Sequence, residues 1–266
     1  MLCEEGYRMK YEDYRRNHVI VPGREDALDA FIQQDYKGMQ HKVKNAYSSN
    51  SEDALTWSCF DTLEHLPLLN KIEALDEILS DSYAGNSPIS LSEKGLTNSD
   101  VSIRIGKRYD APSINESTEV DASIETPKAL VFIEAKLYSA VSPADPPDKP
   151  HDQIARKLRI GLDTAHQSNS EFYFIFLDIA PLEKMNQRSS KAEVMENSSG
   201  GYNDKWKSAW LFSYYKKGRA SSLKPLEEAL EGVAEKSSIP KIAANMGWLT
   251  WADLFKCTLR ATINAK

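Results

Sequence analysis

The feature that most constrains this chain is an apolar run that stops abruptly on charge. Leu130–Ile133 reads Leu-Val-Phe-Ile and is followed at once by Glu134-Ala135-Lys136. A short continuous apolar run of this kind predicts a strand buried on both faces. Side chains alternate along a strand, so Glu134 and Lys136 share one face and Ala135 takes the other. An acid and a base at the end of a buried strand cost free energy unless they are bound to something. The run therefore demands a sheet covered on both sides, and its charged end marks a candidate site.

The residues before the run sharpen this. Glu119–Glu125 leads into Thr126-Pro127-Lys128 and then the apolar run. A tight turn centred on Pro127-Lys128 sets Ser123 opposite Phe132, Asp121 opposite Glu134 and Glu119 opposite Lys136. Directly opposed residues on one face have Cβ atoms about 4.5–5.5 Å apart. Two carboxylates that close repel unless a proton or a cation sits between them. Their oxygens suit a hard divalent ion such as Mg²⁺. Pro at the first turn position favours a type I turn, which leaves a one-residue bulge open. A plainer alternative is a cross-strand Glu119–Lys136 ion pair worth under about 1 kcal/mol, with Asp121 exposed. It leaves the opposition of Asp121 and Glu134 unexplained.

The rest of the chain supplies helices around this hairpin. Leu28, Phe31 and Ile32 predict a helix from Glu25, with Val43 and Tyr47 continuing its stripe. A second helix follows residues 48–51, capped by Asn50 with Asp53 at its third position and Leu55, Cys59, Leu63 and Leu66 on its apolar face. A third runs from Pro67 to about Leu79. Val101, Ile103 and Ile105 alternate as a half-buried strand would, and residues 109–118 read as a loop. Residues 142–150 hold four prolines and form another loop. A helix over 151–166 carries Ile154, Leu158, Leu162 and Ala165 on one face, and Glu171–Ile179 reads as a buried strand. Residues 185–204 are polar. The C-terminal part is mostly helical, with a Trp-rich segment around Trp248 and Trp251. The order predicts an α/β fold.

Composition removes several classes. At 41% hydrophobic and 27% charged, with 12 Gly and 12 Pro in 266 residues, the chain is neither disordered throughout, collagen-like nor a coiled coil. The net charge of -6 excludes an overall basic field for nucleic acid, but not a local basic cleft. Cys3, Cys59 and Cys257 form neither a disulfide framework nor a zinc pattern and fit a reducing compartment. The opening MLCEEGYRMK lacks an apolar stretch, so no signal peptide is expected. The longest apolar run, Phe172–Leu177, is too short to cross a bilayer. The expectation is a cytoplasmic protein with no membrane partner. The five histidines have no HxH or HxxxH spacing, and GxSxG, Walker A and GxGxxG motifs are absent. Cys59 and the tryptophans read as core. Basic residues gather at Lys149, Arg156, Lys157 and Arg159, at Arg104, Lys107 and Arg108, and at Lys216, Lys217 and Arg219. Such residues supply phosphate contacts, although each cluster is also what a solvated face looks like.

Asp121, twelve residues, then Glu134-x-Lys136 at the end of an apolar strand resembles the PD-(D/E)xK nuclease signature. Val120 stands where many members carry proline. Glu52, at the start of a helix before the strands, resembles the family's upstream helical acid. Gln153, opening the helix after the strand, resembles the glutamine many members carry there. The resemblance covers roughly residues 50–180. It implies a restriction-endonuclease-like core, a mixed central sheet flanked by helices. Residues 1–49 then form an N-terminal helical lead-in, and 181–266 a mostly helical extension packed on the core.

The resemblance implies a Mg²⁺-dependent endodeoxyribonuclease, with Mn²⁺ as a substitute. Asp121 and Glu134 would hold the metal with the carbonyl of Ala135, and Glu52 would support a second ion or its water shell. Lys136 would orient or help deprotonate the attacking water, and Gln153 would position water or phosphate. The implied partner is nucleic acid, DNA foremost. A homodimer or a partner in restriction or phage defence follows only by analogy of fold. Two rivals stand beside this: a non-catalytic member of the fold that binds nucleic acid or protein, and a carboxylate-pair hydrolase such as a glycosidase, whose two acids lie about 5–9.5 Å apart.

Overall fold

Alternation along the central strands assigns each side chain to one of two helical layers. The computed structural model describes residues 10–34, 41–83, 85–92, 95–137, 141–142, 144, 146–147, 150–178 and 223–265. Five strands, β1 (Ser102–Ala111), β2 (Glu116–Glu125), β3 (Ala129–Ala135), β4 (Glu171–Asp178) and β5 (Met246–Thr250), form one sheet in that order. The first three pair antiparallel, and β4 and β5 join parallel. Helices α1 (Glu25–Ile32), α2 (His41–Ala46), α3 (Glu52–Glu64), α4 (Leu68–Ser82), α5 (Gln153–Gln167), α6 (Lys224–Ala229), α7 (Ile239–Ala244) and α8 (Trp251–Asn264) flank it.

Every residue of β3 is buried. Val131 and Ile133 face a core built with α3, α4 and α8, whereas Leu130 and Phe132 face one built with α5, α6 and α7. β4 divides the same way, with Ile175 and Leu177 on the first side and Phe174 and Phe176 on the second. Each such side chain contributes about 1.5–3 kcal/mol by leaving water, so these two strands anchor the sheet. α5 packs close enough to β4 that a Cβ at Gly161 would lie 2.0 Å from the Phe172 ring. Only glycine permits that approach. A third, smaller core of Leu28, Phe31, Ile32, Ala46 and Trp57 docks the N-terminal helices on α3. No helix among the described residues is long and apolar enough to cross a membrane.

Several elements differ from the sequence expectations. Ser51, not Asn50, caps α3: its backbone is extended and its Oγ accepts from Ala54 N at 3.2 Å. Asp53 therefore sits one position nearer the helix start. The stripe from Phe31 to Tyr47 is broken into two helices that reach the same small core. The expected loop at 109–118 is only residues 112–115, because β1 and β2 run on to meet it, and Asn115 takes the left-handed conformation that asparagine tolerates. The C-terminal part, expected to be mostly helical, also supplies β5. β5 is a short strand buried on both faces, with no period of two to show. The sheet thus continues past residue 180 into the expected extension. Residues 185–204 lie outside the described residues.

Candidate metal and catalytic site

The β2–β3 hairpin has the expected register: Ala122 lies opposite Ile133, Ser123 opposite Phe132 and Ile124 opposite Val131. The ladder stops there, one pair short of Asp121 and Glu134. In place of a backbone bond, Asp121 Oδ2 accepts from the N–H of Ala135 at 2.7 Å. The cause lies on the other side of β2. Gly106 stands opposite Asp121 with a φ of +62°, and both strands change faces there. Ile103 and Ala122 belong to one core, but Tyr109 and Val120 belong to the other. A Cβ on Gly106 would lie 2.6 Å from Lys42 Nζ, so glycine at this position serves both the turn of the backbone and the approach of that lysine.

Beyond the break, Glu134 and Lys136 share a face as expected, and Ala135 packs into the α3, α4 and α8 core. Glu134 is fully buried. Lys136 Nζ lies 2.7 Å from Glu134 Oε1 and 3.8 Å from Glu52 Oε1. Glu52 Oε2 accepts from Leu137 N at 2.7 Å, so α3 grips the end of β3 through its first residue. The strand end is held from two more sides. Lys136 N donates to Leu177 O at 2.7 Å, and Trp251 Nε1 donates to Lys136 O at 3.0 Å.

A third cation enters from α5. Lys157 is 2% exposed, contacts Glu134 Oε2 directly and lies 3.7 Å from Asp121 Oδ2. Burial pushes its ammonium below the usual lysine pKa, while Asp121, Glu119 and Glu52 pull it back up. On the far side, Lys42 pairs with Glu119 at 2.5 Å. That replaces the expected Glu119–Lys136 pair, because the strands have changed faces between those residues. Asp53 completes the cluster. Burial first, and then the Asp121 carboxylate, push its pKa up to about 6, with Lys42 opposing.

Five carboxylates (Glu52, Asp53, Glu119, Asp121, Glu134) thus meet three ammonium groups (Lys42, Lys136, Lys157), an excess of two negative charges. Glu134 Oε1 is buried and accepts no aligned hydrogen bond, despite its close ion pair. Among the described residues, no three acid, histidine or cysteine side chains converge as a ready-made metal cage. The donor chemistry nonetheless fits a hard divalent cation: an under-neutralised, oxygen-only set that includes the fully buried Glu134 carboxylate. In an extended strand the N–H and C=O of one residue point to the same edge, so the carbonyl of Ala135 is directed to the side on which Asp121 binds its N–H.

Of the residues singled out in the sequence, Asp121, Glu134, Ala135, Lys136 and Glu52 come together. Gln153 opens α5, but its Oε1 accepts from Ser142 N at 3.1 Å and its N–H donates to Ser142 O at 3.0 Å, tying the helix to the preceding loop. Lys157, Asp53, Lys42 and Trp251 had not been assigned to the site. Lys157 carried a signal, since it sits among the apolar positions Ile154 and Leu158, one helical turn after Gln153.

The expected phosphate-binding bases are mostly engaged elsewhere. Arg159 is buried on Glu116, Lys107 pairs with Glu125, and Arg108 pairs with Asp110. Lys149, Lys216, Lys217 and Arg219 lie outside the described residues. Cys59 is buried, its thiol pushed up to about 12 by burial, in keeping with a packing role. Comparison with protein-family models, curated proteins and solved structures gives no match.

Proposed function

We propose that this chain is a divalent-metal-dependent nuclease that hydrolyses phosphodiester bonds in DNA, built on a restriction-endonuclease-like core. One observation carries the reading: Asp121, Glu134, Lys136 and Glu52 meet at the end of β3 within a cluster holding two excess negative charges. Asp121, Glu134 and the Ala135 carbonyl would hold Mg²⁺ or Mn²⁺, with Glu52 beside them. When bound, such an ion lowers the pKa of a water and stabilises charge on phosphate oxygens.

The chain's own residues supply the remainder. Lys136 places an ammonium next to the carboxylates, where it orients the attacking water and offsets charge that develops on the phosphate. Glu52 holds Lys136 and, through Leu137 N–H, the end of the strand that carries it. Trp251 fixes the carbonyl of Lys136, and Asp121 braces Ala135, so the strand end is rigid before substrate arrives.

The test incubates the purified protein with supercoiled, linear and single-stranded DNA, with and without Mg²⁺ or Mn²⁺. Cleavage that needs the metal and disappears in Lys136→Ala supports the reading. Equal cleavage by both proteins overturns it. A second reading, a binding subunit of the same fold without catalysis, is favoured by the lysine ammonium already seated between Glu134 and Asp121. It predicts no response to Mg²⁺ and unchanged nucleic-acid binding in Glu134→Ala.

A further inference from the structure

Lys157 is the one cation of the cluster that touches both proposed metal-holding side chains. Its ammonium contacts Glu134 Oε2 and stands 3.7 Å from Asp121 Oδ2. Lys157 is one of the buried residues of α5, as are Ile154 and Leu158, and is almost wholly removed from water. Such burial is tolerated only because the charge is matched on the spot. An ion held by Asp121 Oδ2 and Glu134 Oε2 together would take the place this ammonium fills.

We propose that Lys157 is a tethered counter-cation occupying the metal position, so that a divalent ion binds by exchange, the ammonium moving off as the ion enters. The inference rests on the metal-site reading above and adds to it a residue that governs metal affinity. A lysine suits the task. Its charge is compact, like that of the ion it stands in for, and its four-carbon stem carries the ammonium to a new position without moving the helix. Glu119 is a further carboxylate that acts on its charge and is not one of the proposed metal holders. Exchange also explains how a core with surplus carboxylates folds before any metal arrives: the tethered charge keeps Glu134 from being buried beside Lys136 alone. The cost falls on metal affinity, because each incoming ion competes with a charge that cannot diffuse away.

The experiment measures Mn²⁺ binding by calorimetry, without DNA, for the wild type, Lys157→Met and Lys157→Arg. Removing the competitor should tighten Mn²⁺ binding at least about tenfold in Lys157→Met, a gain of about 1.4 kcal/mol. Lys157→Arg, which keeps the charge, should bind no better than wild type. Equal or weaker binding by Lys157→Met overturns the exchange while leaving the metal site standing. No Mn²⁺ binding by any of the three proteins overturns both. The wild type gives a readout that does not depend on a methionine variant folding. With ¹⁵N-labelled lysine, the protected ammonium signal that Lys157→Arg removes should shift as Mg²⁺ is titrated in. A signal unmoved at saturating Mg²⁺ also sinks the exchange.

Discussion

Two basic residues of α5 are buried two positions apart, and they meet opposite circumstances. Arg159 Nε pairs with Glu116 at 2.8 Å, and its Nη1 donates to the carbonyls of Ala229 at 3.2 Å and Glu231 at 2.8 Å. One carboxylate and two fixed carbonyls match its planar fork, and the charge balances within that group. Lys157 instead enters a cluster in which acids outnumber bases. A balanced buried pair is what a fold needs to join a helix to a strand. An unbalanced one, assembled from α2, α3, β2, β3 and α5, leaves negative charge for an added cation to offset. The contrast separates structure from site more sharply than burial does, because both residues are buried.

The same chemical change at each cluster breaks or sharpens this comparison. Asp121→Asn keeps an acceptor for Ala135 N–H and removes one charge; Glu116→Gln does likewise for Arg159. The largest expected effect is on cleavage. Asp121→Asn should lower the Mg²⁺-dependent rate on supercoiled DNA on the order of 10²–10³-fold, whereas Glu116→Gln should stay within about threefold. Equal losses in both would mean that the two clusters do not differ in kind.

Next in size is stability, where the order should reverse. In metal-free urea unfolding, Glu116→Gln should cost about 1–2 kcal/mol, because a charge-assisted bond to a buried guanidinium becomes a neutral one. Asp121→Asn should unfold within about 1 kcal/mol of wild type, since it relieves repulsion among the acids while weakening one contact with Lys157. Mg²⁺ at about 100 times its Kd should add about 2.7 kcal/mol to wild type and to Glu116→Gln, and much less to Asp121→Asn. A large metal-free loss in Asp121→Asn would make that aspartate a structural partner of Lys157.

Much of this site was readable in advance, and the unread part has a common cause. β3 announced itself through uninterrupted apolar residues, and the turn at Pro127-Lys128 set the register of Ser123 and Phe132 correctly. What defeated local reasoning was the break at Gly106, where both strands change faces. Period-two counting then placed Glu119 against Lys136, when it belongs with Lys42. Lys157 was hidden differently. The apolar stripe of α5 accounts for the helix without it, and only the packing of α5 over the end of β3 brings its ammonium to Glu134. Gln153 shows the converse: its position at the helix start matched the family pattern, but its side chain serves the loop backbone at Ser142. β5 escaped because four consecutive buried residues and a half-buried Thr250 carry no periodic signal.

The smallest effect tests whether the Arg159 cluster is as self-contained as its geometry indicates. His151 Nε2 lies 4.0 Å from Glu116 Oε1 at the edge of that group. Burial first, then the Arg159 guanidinium, hold its imidazole below the ordinary histidine pKa; Arg156 adds to this, and Glu116 and Asp152 act against it. The folded state therefore takes up a proton less readily than the unfolded chain. The associated stability is present above the unfolded value of about 6.5 and is lost as the pH falls through it toward the folded value. With the ring partly exposed, screening keeps this below about 1 kcal/mol. The urea midpoint should fall between pH 7 and pH 5.5, and His151→Gln should flatten part of that fall. The remainder is expected from His18, whose imidazole burial also holds low, set against Asp53, whose raised pKa of about 6 adds stability as the pH falls. Asp121→Asn should leave the His151 part intact, because that residue belongs to the other cluster. If Asp121→Asn removes it as His151→Gln does, the two groups on α5 titrate as one, and the division between a structural pair and a site does not hold.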